Sequence, residues 1–138
     1  MDEFKNWVER RFVIEALQAK RAPELWQEVR SSLQDACDSF NERYGSATDQ
    51  VECALENCRR VRITRKLLED HSRNRHSKIV TTIVVSFDEN SQKITAAQNS
   101  ANIFSISSDG ISVFITRKDK RLEPDEVSKE ILESFLFN

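Results

Sequence analysis

The sequence predicts an α+β domain: two N-terminal helices, a curved antiparallel meander of five or six strands, and one C-terminal helix, with the helices packed on one sheet face. Three observations carry this. Apolar residues recur at steps of three and four up to about Tyr44. From Val51 to Thr116 the period changes to two. After Glu123-Pro124 helical spacing returns. Helical runs set apart from a meander with short turns describe helices segregated from an antiparallel sheet.

The first helix is read from Phe4, Trp7, Val8, Arg11, Phe12 and Ala16, with Asp2 as the candidate N-cap. Val13, Ile14 and Leu17 widen its apolar face, so more than one neighbour is expected. Ala22-Pro23 is expected to end it, because the residue before a proline resists helical backbone. Pro23 and Glu24 suit the first turn of a second helix, whose stripe is Leu25, Trp26, Val29, Leu33, Cys37, Phe40 and Tyr44. Gly45 stands where a helix C-terminus favours a residue tolerant of left-handed backbone.

Strands follow at Val51–Leu55, Val61–Leu67, Ile79–Phe87, Ile94–Ala97, Ile103–Ile106 and Ile111–Thr116. Asp88-Glu89-Asn90-Ser91 turns one pair, and Asp109-Gly110, a strong hairpin signal, turns another. Pro124 with Asp125 and Glu126 opens a last helix, striped by Val127, Ile131, Leu132, Phe135 and Leu136. No repeat or linker divides the 138 residues, so one domain is expected over 1–138.

Composition bounds the chemistry. Gly45 and Gly110 are the only glycines, and both are used in turns. Phosphate-cradling loops and nucleophile elbows need glycines that are absent, so no cofactor and no enzymatic activity are expected. The acidic start Met1-Asp2-Glu3 does not read as a secretory signal, and no run is long and apolar enough to span a bilayer. The expectation is therefore a cytoplasmic protein without a membrane partner. Cys37, Cys53 and Cys58 form no C-x-x-C pair, and with only His71 and His76 beside them they match no metal-ligand spacing. Cys37 reads as a small buried hydrophobe.

One compositional anomaly stands out. Residues 51–80 hold eight Lys and Arg against four Asp and Glu, in a chain of net charge −2. Arg60, Arg62 and Lys66 would share the strand face opposite Val61 and Ile63. A following loop would add His71, Arg73, Arg75, His76 and Lys78 as a cationic rim, with Arg73, Arg75, His76 and Lys78 the candidate anion-binding set. A solvated sheet face is the favoured reading of these cations, ahead of nucleic-acid binding and of another anionic partner. The pI is about 5.8, and no aromatic interleaves these cations to stack on bases. His71 beside Asp70 would need an orienting partner and a nucleophile to act as a base, and neither is named by the pattern. The carboxylates (Glu24, Glu28, Asp35, Asp38, Glu123, Asp125, Glu126) fall on solvated helix faces or in turns.

The remaining signal is apolar. If Ile79, Ile83, Val85 and Phe87 face the helices, then Val80, Thr82 and Val84 face away, and Phe114 joins them from the last long strand. Such a face is more apolar than plain solvent favours. The predicted function is a non-enzymatic binding or interaction protein, most simply a homodimer or a partner of another protein. Its candidate contacts are Arg60, Arg62, Lys66, Val80, Thr82, Val84 and Phe114. The alternative expectation is a carrier of a small ligand held between sheet and helices.

Overall fold

A computed structural model describes residues 6–71, 75–98 and 101–137, with the side chains of 68–71 and 75–79 outside the described set. Helix α1 (Trp7–Arg43) leads into seven strands: β1 (Asp49–Asn57), β2 (Arg60–His71), β3 (Arg75–Asp88), β4 (Lys93–Ala97), β5 (Ala101–Ser108), β6 (Val113–Arg117) and β7 (Lys120–Leu122). Helix α2 (Pro124–Phe137) closes the order. The sheet order is β1-β2-β3-β4-β5-β6-β7, antiparallel throughout, so the α+β reading holds.

Several details differ from the sequence reading. The two N-terminal helices are one, 37 residues long, with Pro23 inside it. Proline there forgoes a hydrogen bond to Ala19 and crowds that carbonyl, at a cost of about 3 kcal/mol. Pro23 and Ala19 are both exposed, so water can serve the freed carbonyl. On the opposite side Ala22, Leu25, Trp26 and Val29 are buried, and packing on both sides of the proline holds the helix continuous. Asn6 caps the helix, its Oδ1 accepting from Val8 N at 2.9 Å and Glu9 N at 3.0 Å; Asp2 and Phe4 lie outside the described residues.

The strand count is seven, because Lys120–Leu122 adds a three-residue edge too short to show a period. The backbone of residues 71 and 75–78, expected in a loop, lies on strands. β2 and β3 stay paired, antiparallel and in register, to Asp70↔His76 and His71↔Arg75. Ile111, expected in a strand, sits 89% exposed in the turn before β6. There Asp109 accepts from Ser112 N and Ile111 N, which holds its carboxyl below the usual range, and Gly110 takes φ 92°. Gly45 is required for a different reason than left-handed backbone. A Cβ there would run into the Asn41 carbonyl, to which Gly45 N donates.

Both helices pack on one sheet face. Val51, Val61, Ile63, Ile83, Val85, Phe87, Ile94, Phe104, Ile106 and Ile115 point into that layer and are buried. α1 crosses it diagonally. Gln18 Nε2 donates to Ile106 O at 2.8 Å on β5, and Trp26 stacks on Phe87 and donates to Cys58 O at 2.7 Å. Asn41 binds both Val51 N and Val51 O, acting as a strand neighbour and blunting the free β1 edge.

Arg65 ties the layers together. From the helix-facing side of β2 its guanidinium grips Asp49 of β1 in a fork (Nε–Oδ1 3.0 Å, Nη2–Oδ2 2.8 Å). Its Nη1 donates to Phe135 O and Leu136 O at the C-terminus of α2, and its Cζ lies 5.2 Å from the centre of the Phe40 ring on α1. The Asp49 bond raises the Arg65 pKa further, so the charge is permanent. Cation, acid and orphan helix carbonyls satisfy one another here.

Two outcomes are expected in urea unfolding. Arg65→Ala costs about 2–4 kcal/mol, because it leaves Asp49 and two carbonyls unpaired, and Arg65→Lys recovers only part, lacking the fork. Pro23→Ala, on an exposed helix position, raises stability by about 1–3 kcal/mol.

Candidate interaction surface on the outer sheet face

Because α1 and α2 share one side, strand alternation leaves every second residue of the sheet on a side that no described element covers. The register sets their neighbours. One row runs Ala54, Arg62, Val84, Ala97, Ala101 across five strands. Beside it lie Glu52, Thr64, Thr82 and Gln50, Lys66, Val80 on one flank, and Arg60, Ser86, Thr95, Ile103 on the other. Its described uncharged side chains are mostly small aliphatic and hydroxyl groups, with Val80 at 50% and Ile103 at 49% exposure among its open apolar groups.

The seven sequence-predicted contacts all lie on this side, but they are not one cluster. Lys66 pairs directly with Val80 and Arg62 with Val84, while Thr82 pairs with Thr64. Phe114 is on β6, three strands from β3, or about 14 Å sideways. It is also capped, since the Arg121 guanidinium sits 3.7 Å from its ring centre. Ile103 was not among the predicted contacts. Its signal was available: with Phe104 and Ile106 buried, alternation sends Ile103 and Ser105 outward.

The cations are paired in place, three of them with two carboxylates of β1. Glu56 serves both Arg60 (3.2 Å) and Arg62, and Lys66 lies 3.7 Å from Glu52. Arg59 pairs with Glu89 at 2.9 Å, and Arg65, turned inward, belongs to the core. Such exposed pairs contribute little stability each, but they flatten the positive potential that the composition suggested. Of the candidate anion-binding set, Arg73 lies outside the described residues. Arg75, His76 and Lys78 are placed by backbone on β3, and their side chains lie outside the described set.

Other chemistry is sparse. Among the described residues no three His, Cys, Asp or Glu side chains come close enough to hold a metal. All three cysteines are free: Cys37 buried, Cys53 half-buried, Cys58 exposed. A hydrogen bond between the Cys37 and Cys53 thiols, together with burial, holds the Cys37 thiol well above the ordinary range, and the same hydrogen bond pulls Cys53 down. An open, largely apolar groove of about 540 Å³ runs between α1 and α2 on their solvent side, floored by Phe40, Leu132 and Leu136. Where α1 meets β1 there is a smaller cleft of about 310 Å³, lined by Gln34, Asp38, Cys53 and Lys66.

The paired arginines set an expectation. The unaltered protein elutes early from a heparin column, and Glu56→Gln, which releases Arg60 and Arg62 together, elutes at higher salt. Comparison of the chain with protein-family models, with curated proteins and with solved structures finds no match.

Proposed function

We propose that this protein is a non-enzymatic interaction module whose outer sheet face docks on another protein surface, a second copy being the simplest partner. One observation carries the reading: two helices stacked on the same side leave a seven-stranded sheet with a face that no described element covers. That face combines open apolar groups (Val80, Ile103) with Thr64, Thr82 and Thr95 hydroxyls and internally paired charge. A broad sheet face of mixed apolar and hydroxyl side chains suits a protein partner.

Arg60, Arg62, Lys66, Val80, Thr82 and Val84 form the centre of the proposed contact, with Ile103 extending it and Phe114 beneath Arg121 at its margin. The paired arginines and lysine argue against a polyanion as the preferred partner. Fixed ion pairs would have to break before phosphates could be bound. The cytoplasm remains the proposed location. No described helix is long and apolar enough to cross a membrane.

The test is Val84→Asp and Ile103→Asp in the full chain. Both positions face away from the core, so circular dichroism is expected to be unchanged. Partner capture through this face should weaken by roughly thirtyfold or more. Binding that survives both changes in a folded protein would overturn the reading.

A further inference from the structure

Two tethers fix how α1 lies along β1. Near the end of the helix Asn41 holds Val51 by both backbone atoms, its Nδ2 donating to Val51 O at 2.7 Å and its Oδ1 accepting from Val51 N at 2.9 Å. Further back, Trp26 Nε1 donates to Cys58 O at 2.7 Å. Helix and strand therefore run in opposite directions. From Asn41 back to Trp26 the helix covers about 22 Å, and from Val51 to Cys58 an extended chain covers about 23 Å, so the two stay in step. Cys37 stands one helical turn before Asn41, and Cys53 two residues after Val51, each on the same side as that neighbour. Both steps advance about 6–7 Å. The two thiols consequently meet, in hydrogen-bond contact.

Their surroundings differ. Cys37 is 1% exposed, inside the core. Cys53 is half-buried on the edge strand of the sheet, paired with the buried Ile63. It lines the 310 Å³ cleft beside Gln34 and Asp38, and a second surface cleft of about 200 Å³ beside Gln34 and Arg30. A small reagent in either cleft reaches the Cys53 sulfur. The Cys37 thiol donates to Cys53, and this hydrogen bond favours the Cys53 thiolate, outweighing burial and the charge of Asp38, which oppose it. The thiolate is the nucleophilic form of cysteine, so the reactive sulfur is also the reachable one, with a second sulfur in contact with it.

We infer that Cys37 and Cys53 form a peroxide-reactive dithiol, in which Cys53 is oxidised first and Cys37 then converts it to a disulfide joining α1 to β1. Hydrogen peroxide is the oxidant. The Cys53 sulfur attacks one peroxide oxygen, the O–O bond breaks, and the departing hydroxide takes a proton from solvent to become water. Cys53 is now a sulfenic acid. The anion that held the Cys37 proton is gone. The Cys37 sulfur attacks the Cys53 sulfur, the S–O bond breaks, and the hydroxyl leaves with the Cys37 proton as water. Two thiols have lost two protons and two electrons, and one peroxide has become two waters. Exchange with a thiol reductant returns the starting pair. The site lies on the helix side of β1 and stands independently of the function proposed for the outer sheet face.

The experiment treats the full chain under native conditions with one equivalent of hydrogen peroxide. Free thiols are then blocked with N-ethylmaleimide, and the unreduced digest is read by mass spectrometry. The expected product is a peptide pair linked through Cys37 and Cys53 and released by dithiothreitol. It should form before Cys58 is oxidised, although Cys58 is the more exposed thiol. In urea the same treatment should shift the links to pairs that include Cys58, because Cys53 and Cys58 then close the shortest loop. Cys37→Ala should stop the reaction at the Cys53 sulfenic acid, captured by dimedone, and Cys53→Ala should leave Cys37 a free thiol; circular dichroism checks both folds. Cys53 carried to sulfinic acid with Cys37 still free in the unaltered chain would overturn the inference. So would native links made mainly through Cys58, or a Cys37–Cys53 pair that peroxide leaves reduced.

Discussion

The Arg65 guanidinium is the point at which four elements of this fold meet. It lies on β2, forks onto Asp49 of β1, closes the last carbonyls of α2 and rests against Phe40 of α1. Helix C-termini carry unsatisfied carbonyls and partial negative charge, and a planar cation with five donors can serve these and a carboxylate at once. With α2 anchored there, Val127, Ile131, Leu132 and Phe135 fall on the core and the helix layer is complete. With both helices on this side, no described element covers the other side of the sheet.

That other side gives the charge pattern its meaning. Read along the chain, residues 59–66 look like a cationic strip. In the fold the strip divides: Arg65 turns inward to hold the helices, and Arg60, Arg62 and Lys66 turn outward onto carboxylates of β1. The hairpin between β1 and β2 shifts register between Leu55 and Asn57, which lets one Glu56 meet two arginines. What reaches solvent is a surface of valine, threonine, alanine and isoleucine with its cations largely paired. The edges are managed differently. β7 is only three residues long, and Asn41 occupies the β1 edge at Val51. Lateral growth of the sheet is hindered at those points, while the outer face stays open.

Much of this architecture is local and therefore legible. The change from a period of three and four to a period of two, the glycine at Gly110 and the proline and acids before Val127 each act over a few residues. They announce helix, meander, turn and helix without reference to anything distant. Alternation alone also sends Val80, Thr82 and Val84 away from Ile83 and Val85. The proline at 23 shows the limit of local rules. Its intrinsic penalty argues for two helices, but Ala22, Leu25 and Trp26 are buried on both sides of it, and packing outweighs a few kcal/mol of backbone cost.

The sequence by itself determined the α+β class, the order of elements and which residues of each strand share a side, because those follow from periodicity and turn chemistry. Only the tertiary structure decided that Arg65 is internal while Arg62 is paired outside, that Phe114 lies under Arg121, and that Trp7 and Phe12 stand exposed. Each of these depends on strand register, on the length of α1 relative to the sheet beneath it, or on contacts between residues far apart in the chain. Arg65 and Leu136 are 71 residues apart, and no pattern within a window of the sequence records that they meet.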